Sequence, residues 1–392
     1  MNLNNPNAYS AGNDSERIEL ALDYALQNSL PLEITERQSD DGRNFWLLDR
    51  AILLPENSEL RLIDCKLKLS DLCRDNFIRS ANCGINIDSI KPISGIRVIG
   101  IGNAVLEGAD HPRATGDARK IIGEHSYGTD SKSTSESKKG DWRNIGILLA
   151  EVSDFVLENL CIINSHCWAI SLEFCRYGTV RDIRFFSTGT IYVDGKPRIV
   201  LNQDGLDLRR GCRHIKIENI SGYTGDDLIA LTAIAYPDMP EQPAGSFASN
   251  MVSASALRGE ADDIFDISIR HVYGYSAGKC QIVRFLNSCG IKMHDILLED
   301  LEDCSPAYLN DNTVIKIGDS NPRWGGVTPL GDTHGFTVRN VLSNALSAVL
   351  IAGSLKDSTI AGIKLRSPEL KDVIISSGRE NVINVNINNK EI

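Results

Sequence analysis

The stretch from Leu201 to Ala233 reads LNQDGLDLRRGCRHIKIENISGYTGDDLIALTA and contains two short apolar strands that each begin with acids. The first strand starts at Asp204 and the second at Asp226. Asp204 and Asp227 differ by 23 positions, and the leucines that close the two strands differ by 23 as well. Between the strands, the segment 214–220 alternates apolar and polar residues. The stretch is therefore one complete turn of a periodic structure in which acids recur at the same phase.

The same alternation, closed by Asn, Asp or His and a further apolar residue, recurs along the chain. Copies lie at Phe155–Leu160, Ile215–Ile220, Ile267–Val272, Ile291–Ile296 and Phe336–Val341. Such a period is typical of stacked repeats, none of which can bury its apolar face alone. The units are strands of about four to six residues, separated by Gly, Asn and Asp. The sequence therefore predicts an all-β fold, a single-stranded right-handed parallel β-helix in which each strand pairs with its counterpart one coil on.

We interpret residues 1–392 as one β-helix domain without a linker. It divides into an N-terminal cap with the first coils at 1–95, the acid-bearing coils at 145–318 and the C-terminal coils at 319–392. Asp14 to Gln27 has a capping residue, an early Glu and spaced apolar residues, which predict an amphipathic helix. A bare end of the β-helix would expose its apolar cross-section, so we expect this helix to cap that end.

Three insertions interrupt the strands, at 109–144, 187–200 and 233–261. The last two flank the acid-bearing strands, and we expect them to form walls of a cleft, because loops on such folds often carry the binding face. The first insertion includes the polar run TDSKSTSESKKGD. We interpret it either as a lid over the cleft or as a coil insertion that the fold tolerates.

Composition and charge limit the possible partners. The chain has 392 residues and a net charge of −11, with 42% apolar and 24% charged residues. The negative charge argues against nucleic acid or an anionic membrane as a partner, and no apolar run approaches the length of a membrane span. The N-terminal residues lack the basic and apolar segments of a secretory signal, which predicts a cytoplasmic protein. The ten cysteines have no metal-ligand spacing and are expected to be reduced, apolar core residues.

The predicted coil gives the acids a chemical meaning. Neighbouring parallel strands lie ~4.8 Å apart, so Asp204 and Asp227 should be close neighbours, with Asp226 beside them. Three carboxylates so near one another cannot all ionise freely, and at least one should have the raised pKa of a general acid. Asp and Asn are also common at β-helix turns, where they bond to the backbone and stack in ladders. We expect this structural role for Asn159, Asp182, Asn219, Asp295 and Asn340.

Three segments resemble the motifs of a known family. They are IINSHCWAISLEFC at 162–175, NQDGLDL at 202–208 and GDDLIAL at 225–231. In their order they resemble the Asn-Ser-x-x-Trp, Asn-Thr-Asp-Gly and Gly-Asp-Asp segments of glycoside hydrolase family 28, the polygalacturonase family. The resemblance covers roughly Ile145 to Gly318. It implies a right-handed parallel β-helix that hydrolyses glycosidic bonds of pectin-type polymers with inversion.

The resemblance also implies a role for each acid. Asp226, the first Asp of the Gly-Asp-Asp segment, would be the general acid that protonates the leaving oxygen. Asp204 and Asp227 would hold and deprotonate the attacking water. Inversion needs the acid and the base to stand ~6.5–9.5 Å apart, which leaves room for that water.

The chain departs from the family at the basic residues. The family's catalytic-site His is missing, and Lys279 or Cys280 takes its place in the segment GKCQIVRF. The family's Arg-Ile-Lys strand, which grips a galacturonate carboxylate, is reduced to VIKIG, with Lys316 near the Arg position and Gly318 at the Lys position. Arg284 is a candidate substitute. The acids therefore match the family better than the substrate-gripping residues do.

Further candidates for contact with a sugar lie near the acids. Trp168 precedes the acid strands by one repeat and would either stack on a sugar ring or pack in the core. His166 would either reach the cleft, where it would partly replace the missing His, or have a structural role. Asn202 would orient an Asp or contact the sugar. Asp207 would bind substrate, remain solvated or pair with Arg209, which is itself a candidate grip for an acidic sugar.

The leading hypothesis is an inverting, exo-acting glycoside hydrolase on pectin-type oligosaccharides that contain uronate or rhamnose. It requires no cofactor and no metal, and its partner is the oligosaccharide; the oligomeric state is left open. One alternative is a polysaccharide lyase, in which the acids hold Ca²⁺ and Arg284 or Lys279 removes a proton. The other is a carbohydrate-binding β-helix without catalysis.

Overall fold

The computed structural model describes residues 2–10, 12–38, 41–71, 73, 75–111, 142–247, 249–306, 312–388 and 390–391. The strands of the N-terminal half are β1 (Leu32–Thr35), β2 (Trp46–Leu48), β3 (Ile52–Leu54), β4 (Glu59–Leu69), β5 (Ile78–Ser80), β6 (Ile93–Ser94), β7 (Arg97–Glu107), β8 (Ile147–Ala150), β9 (Val152–Ile163), β10 (Ile170–Glu173), β11 (Arg176–Phe186), β12 (Thr190–Val193) and β13 (Lys196–Ile199). The strands of the C-terminal half are β14 (Leu206–Arg209), β15 (Arg213–Thr224), β16 (Ile229–Ala233), β17 (Ile264–Ser276), β18 (Val283–Asn287), β19 (Met293–Asp303), β20 (Thr313–Ile317), β21 (Thr333–Ser343), β22 (Ser347–Ile351), β23 (Leu355–Leu365), β24 (Lys371–Ile375), β25 (Val382–Ile387) and β26 (Lys390–Glu391). Single 3-10 turns form at Pro6–Ala8, Trp142–Asn144, Gly259–Asp262, Pro322–Trp324 and Arg379–Asn381.

The strands form two long sheets. Sheet A has the order β1, β4, β7, β9, β11, β15, β17, β19, β21, β23, β25 and β26, with β2 and β6 paired at its side. Sheet B has the order β3, β5, β8, β10, β14, β16, β18, β20, β22 and β24. Within these two sheets, each strand pairs in parallel with its counterpart one coil on, apart from β26, which is antiparallel to β25. This arrangement confirms the predicted right-handed parallel β-helix.

The long strands of sheet A bend where Asn or Asp adopts a left-handed backbone conformation. Asn159, Asp182 and Asn219 have φ values of 51°, 58° and 56°. Asn and Asp tolerate this conformation better than most residues other than Gly. The side-chain amide of Asn219 donates a hydrogen bond of 3.0 Å to Oδ1 of Asp182, one coil earlier. The predicted turn ladder is therefore confirmed at these positions.

One predicted repeat has the wrong register. Ile267 pairs with Ile296, and Val272 pairs with Leu301. The copy that the sequence suggested at Ile291–Ile296 therefore lies at 296–301, five residues later. Asp300 stands at the bend, where its Oδ1 accepts a hydrogen bond of 3.0 Å from the Asn340 amide. Asp295 also adopts the left-handed conformation, with a φ of 55°, but it lies near the start of β19.

Inward-facing residues of both sheets stack in rows that form the core. In sheet B one such row is fully buried and consists of Ile170, Leu206, Ile229, Val283 and Ile315. Because successive side chains of a strand point to opposite faces, the residues next to this row point outward. Seven of the ten cysteines are buried, as composition predicts.

The predicted capping helix forms as α1, Asp14–Gln27, with the expected bounds. Asn13 and Glu16 close its N-terminus with reciprocal hydrogen bonds. Asp14 accepts the Leu47 amide at 2.9 Å and an Arg37 guanidinium N–H at 2.9 Å. These bonds fix the helix on the first coil, where its apolar face packs against β1, β2 and β3. No helix in the described part of the chain combines the length and apolar character that a membrane span needs.

Two insertions are folded against the acid-bearing coils. The insertion at 187–200 contains an antiparallel hairpin of β12 and β13. The segment 234–258 folds back on sheet B, where the amides of Val252 and Ser253 donate to the buried Glu173 carboxylate at 3.0 and 2.9 Å. Residues 112–141, which include most of the predicted lid, lie outside the described residues.

Candidate active site

Asp204 and Asp227 lie side by side on neighbouring coils. β14 and β16 pair with Leu206 opposite Ile229, an offset of 23 residues that also aligns Asp204 with Asp227. The backbone N–H of Asp227 donates a hydrogen bond of 3.2 Å to Oδ1 of Asp204. The structure therefore brings these two acids together as the repeat predicts.

Cys280, one of the two residues that the sequence predicts in place of a His, lies against the acids. β16 and β18 pair with Ile229 opposite Val283, an offset of 54 that aligns Asp226 with Cys280. Ligand atoms of Asp226, Asp227 and Cys280 lie within 4.8 Å of one another, and the Cys280 thiol donates a hydrogen bond to Asp226. Asp226 and Asp227 therefore stand closer than the ~6.5–9.5 Å expected between the acid and the base of an inverting hydrolase. Lys279 is exposed on the preceding turn. Of the two predicted substitutes for the His, Cys280 contacts the acids.

Burial raises the pKa of all three acids, and repulsion between carboxylates adds to the shift at Asp204 and Asp227. Asp204 and Asp227 are only 5% and 9% exposed. Burial, and then repulsion from Asp226, raises the pKa of Asp227 to about 7. Burial, and then the same neighbour, raises the pKa of Asp204 well above its usual value. Burial also raises the pKa of Asp226, although the hydrogen bond from Cys280 opposes that shift. The cluster therefore retains protons at pH values at which isolated Asp side chains are ionised.

A chain of hydrogen bonds joins Asp227 to two basic residues. The Gln281 amide donates to Oδ1 of Asp227 at 2.7 Å, and its side-chain oxygen accepts from Arg284 Nη1 at 2.7 Å. Arg284 Nη2 and Lys316 Nζ both donate to Oδ2 of Asp319, at 2.5 and 2.8 Å. Arg284 and Lys316 stand opposite each other on β18 and β20. The two predicted grips thus lie near the acids, and Asp319 binds both of them.

Asp207 is a buried acid rather than a solvated one. It points outward from β14 in the row that continues through Ala230 to Arg284. It is 1% exposed, and within the described residues its Oδ2 has no hydrogen-bond partner. Burial raises the pKa of Asp207 well above its usual value, and attraction to Arg209 offsets only part of this.

Trp168 packs in an apolar cluster on the outer face of sheet B. The cluster includes Trp142 and Val252, and Trp168 itself is 7% exposed. The guanidinium carbon of Arg209 lies 5.0 Å from the centre of the Trp168 ring, and Arg209 Nη2 donates to Asn250 at 3.1 Å. The structure thus favours the packing role of Trp168 over an open platform for a sugar.

His166 and Asn202 occupy different environments. His166 is 3% exposed, and its Nε2 accepts the backbone N–H of Ala109 at 2.9 Å. This bond favours the structural role of His166. Asn202 is half-buried on the approach to the acid strand, with a φ of 52°. Its contact with an Asp or a sugar stays a prediction.

Gln203 is a structural residue of the site that the sequence did not single out. Its side chain is fully buried between the acid strand and the hairpin. Its Nε2 donates to the Ser165 carbonyl at 2.6 Å, and its Oε1 accepts the Gly189 amide at 2.8 Å. Gln203 therefore fixes the stem of the hairpin beside Asp204.

Gln281 and Asp319 were also missed, for different reasons. Gln281 aligns with Asp227 because paired residues of β16 and β18 are 54 positions apart in the sequence. The insertion between the two strands makes this separation much longer than the 23 residues of a coil without an insertion. The short period of the sequence therefore does not reveal it. Asp319 follows Lys316 by three residues in the segment KIGD. The short spacing could have indicated the ion pair, because an acid that follows a strand by a few residues can reach a base near the end of that strand.

Comparison with known proteins supports the fold. No protein-family model matches the sequence, and no curated protein matches it significantly. Among solved structures, it is similar to a hyperthermoactive exopolygalacturonase from Thermotoga maritima, with 14% identity, a TM-score of 0.57, and coverage of 99% of this chain and 92% of that one. It is also similar to a polygalacturonase from Erwinia carotovora, with 15% identity, a TM-score of 0.54, and coverage of 97% and 94%. At such identities the likeness shows a shared β-helix fold.

Proposed function

We propose that the chain is an inverting glycoside hydrolase of family 28 type, which acts from one end of pectin-type oligosaccharides containing uronate or rhamnose. The observation that carries the proposal is the cluster of Asp204, Asp226 and Asp227, brought together from two neighbouring coils and shifted to raised pKa values. Paired carboxylates, one of which keeps its proton, are the usual machinery of glycoside hydrolysis. The order of the motifs and the likeness of fold to the Thermotoga exopolygalacturonase support the assignment.

Asp226 has the properties of the general acid. It is half-buried, whereas Asp204 and Asp227 are nearly closed off from solvent. Its raised pKa favours the protonated form, and the Cys280 thiol holds its carboxyl group in place. In the proposed reaction its proton passes to the glycosidic oxygen as the bond to the anomeric carbon breaks.

We assign the base role to Asp204 and Asp227 from the order of the motifs, and it requires one of the two carboxylates to be ionised. Backbone donors fix both side chains, because the Asp227 amide binds Asp204 and the Gln281 amide binds Asp227. In the proposed reaction a water molecule held by these two carboxylates loses a proton to one of them as it attacks the anomeric carbon. Attack on the face opposite the leaving group inverts the configuration.

The surroundings of the acids favour action at a chain end. The hairpin of β12 and β13 is tied to the acid strand through Gln203, and the segment 234–258 is tied to sheet B through Glu173. The hairpin and the segment 234–258 would form two walls beside the buried acids, and such an enclosed site favours binding of a chain end. A mixture of internal fragments released from a long polymer would contradict exo-action.

The test is hydrolysis of a panel of pectic and neutral oligosaccharides, followed by release of reducing ends. We expect Asp226→Asn to lower turnover by about 10²–10⁴-fold, the usual contribution of a general acid. The matched control is Asp182→Asn, which changes an Asp of the turn ladder that accepts a hydrogen bond from Asn219. Loss of activity in both variants, or in neither, would reject the assigned acid.

Ultraviolet absorbance of the same reactions separates the alternatives, because a lyase also creates reducing ends. A lyase forms unsaturated products that absorb ultraviolet light, and hydrolysis does not. The side chains near Asp226 are a poor match for the Ca²⁺ that the lyase alternative needs. Ca²⁺ takes six to eight oxygen ligands, whereas the group of Asp226, Asp227 and Cys280 includes a soft sulfur ligand. A binding protein without catalysis would bind oligosaccharides and release no products.

A further inference from the structure

The carboxylate of Asp319 binds both basic residues that lie near the acids, Arg284 and Lys316. Its Oδ2 accepts hydrogen bonds from Arg284 at 2.5 Å and Lys316 at 2.8 Å, and its Oδ1 accepts the Asn321 amide at 2.9 Å. Asp319 is only 6% exposed. Although burial alone would raise the pKa of Asp319, the bonds from Lys316 and the Asn321 amide lower it below its usual value, which keeps the carboxylate ionised.

We propose that Asp319 is a specificity-determining residue, a built-in carboxylate that takes the place of a substrate carboxylate on Arg284 and Lys316. The subsite at this end of the acid cluster then receives a neutral sugar rather than a uronate. The inference rests on the proposed function and narrows its substrate class to oligosaccharides with an uncharged sugar at this subsite.

The charges of the site support this assignment. Arg284 and Lys316 together carry two positive charges, and Asp319 removes one of them. The same outward row also holds the buried Asp207. Asp227 senses the charges of both Arg284 and Lys316, so the basic pair already balances the catalytic acids. A uronate at this position would bring one more negative charge to Arg284 and Lys316, both of which Asp319 already binds.

Displacement of Asp319 by a substrate carboxylate is unfavourable as well. The displaced carboxylate would lose its hydrogen bonds to Arg284 and Lys316, both of which bind its Oδ2, and would remain a buried charge without a cation beside it. A sugar hydroxyl avoids this exchange, because it can bind beside the pair without removing Asp319. Neutral groups are therefore the ligands that this end of the site accepts.

The test compares an oligogalacturonate with its methyl ester, in which each negative carboxylate is replaced by a neutral ester that is one methyl group larger. We expect the wild type to bind the uncharged ester more tightly than the acid in calorimetry. Asp319→Asn frees two cations and should improve binding of the acid by about tenfold relative to the ester, with the gain lost at high salt. Asp303→Asn is the control, because Asp303 is equally buried but binds the Ser305 and Asn344 amides instead of cations. Tighter binding of the acid by the wild type, or an unchanged ratio in Asp319→Asn, would overturn the proposal.

A second measurement does not depend on the sugar. In Asp319→Ala, free acetate should bind between Arg284 and Lys316 and raise the melting temperature, whereas Asp303→Ala should show no such rescue. Absence of rescue in a folded Asp319→Ala variant would show that the pair does not form an anion site. Failure of the hydrolase proposal has a different signature, in which the preference for the neutral probe persists but no variant releases reducing ends.

Discussion

The backbone amide of Asp227 donates a hydrogen bond of 3.2 Å to Oδ1 of Asp204, its counterpart one coil earlier. The β-helix thus uses its own repeat to hold two buried carboxylates together. Each carboxylate makes ionisation of the other less favourable, and Asp226 adds a third charge. The stability of the fold is therefore linked to the protonation of this cluster.

We expect the free energy of unfolding to fall as the pH rises from about 4 to above 7. The pKa of Asp227 is about 7 in the folded state against 3.8 for the unperturbed group, so the folded chain binds this proton more tightly than the unfolded chain does. The stabilisation is complete below about pH 4 and is lost as the pH passes through the folded-state pKa. Asp227→Asn removes the titrating carboxyl group of residue 227. The variant should therefore be more stable than the wild type at pH 8, and its free energy of unfolding should depend less on pH. Thermal unfolding at pH 5 and pH 8 measures both effects.

The control for this prediction is Asp154→Asn, because Asp154 is exposed and has a φ of 53° that Asn also tolerates. It should leave the pH dependence of the wild type unchanged. If Asp227→Asn lost as much stability between pH 5 and pH 8 as the wild type does, the titrating group would lie elsewhere.

A second prediction concerns the reactivity of Cys280. Burial, and next the charge of Asp226, raise the pKa of the Cys280 thiol, so little of the reactive thiolate forms at neutral pH. At alkaline pH, where Asp226 has lost its proton, Asp226→Asn removes that charge and should increase the rate of Cys280 alkylation by iodoacetamide several-fold, as followed by mass spectrometry. Cys289 is exposed and serves as the internal reference, with the same rate in both proteins. Equal rates for Cys280 in both proteins would mean that Asp226 carries no charge felt by the thiol.

The parts of the fold that local sequence signals specify were predictable. The bounds of α1 follow from a capping residue and spaced apolar residues in one continuous segment. The alignment of Asp204 with Asp227 follows because no insertion separates β14 from β16, so the plain repeat of 23 residues equals the offset of the strands. Near the acids, the sequence therefore carries the three-dimensional register directly.

The missed features depend on contacts between segments that are distant in the sequence. Because the insertion at 233–261 lengthens the coil between β16 and β18, the repeat period does not reveal the alignment of Gln281 with Asp227. Ile296 can either end a repeat that begins at Ile291 or begin a repeat that ends at Leu301. Both choices fit the sequence pattern, and the pairing of β19 with β17 selects the second. The burial of Asp207 follows from packing on the outer face of sheet B, which the alternation of a strand does not indicate.

A third prediction concerns the wall that follows β16. The Glu173 carboxylate accepts two backbone amides, from Val252 and Ser253, in a fully buried position. Glu173→Gln places an amide N–H against one of these donors and should lower the free energy of unfolding by about 1–3 kcal/mol. It should also increase proteolysis within 234–258. Glu158→Gln is the control, since its partner Arg181 lies at the surface and such pairs contribute little. Equal protease resistance of the Glu173 variant would show that other contacts hold the wall.

The last prediction separates packing from sugar binding at Trp168. Its ring is 7% exposed, packs with Trp142 and Val252, and carries the Arg209 guanidinium on one face. Trp168→Ala should therefore lower the free energy of unfolding by about 3–5 kcal/mol, whereas Trp324→Ala, at a Trp that is 37% exposed, should change it little. Chemical denaturation measures both values. A Trp168→Ala variant of unchanged stability and weakened oligosaccharide binding would instead make Trp168 a platform for the sugar, because only a ring that contributes nothing to the core can be removed without a cavity.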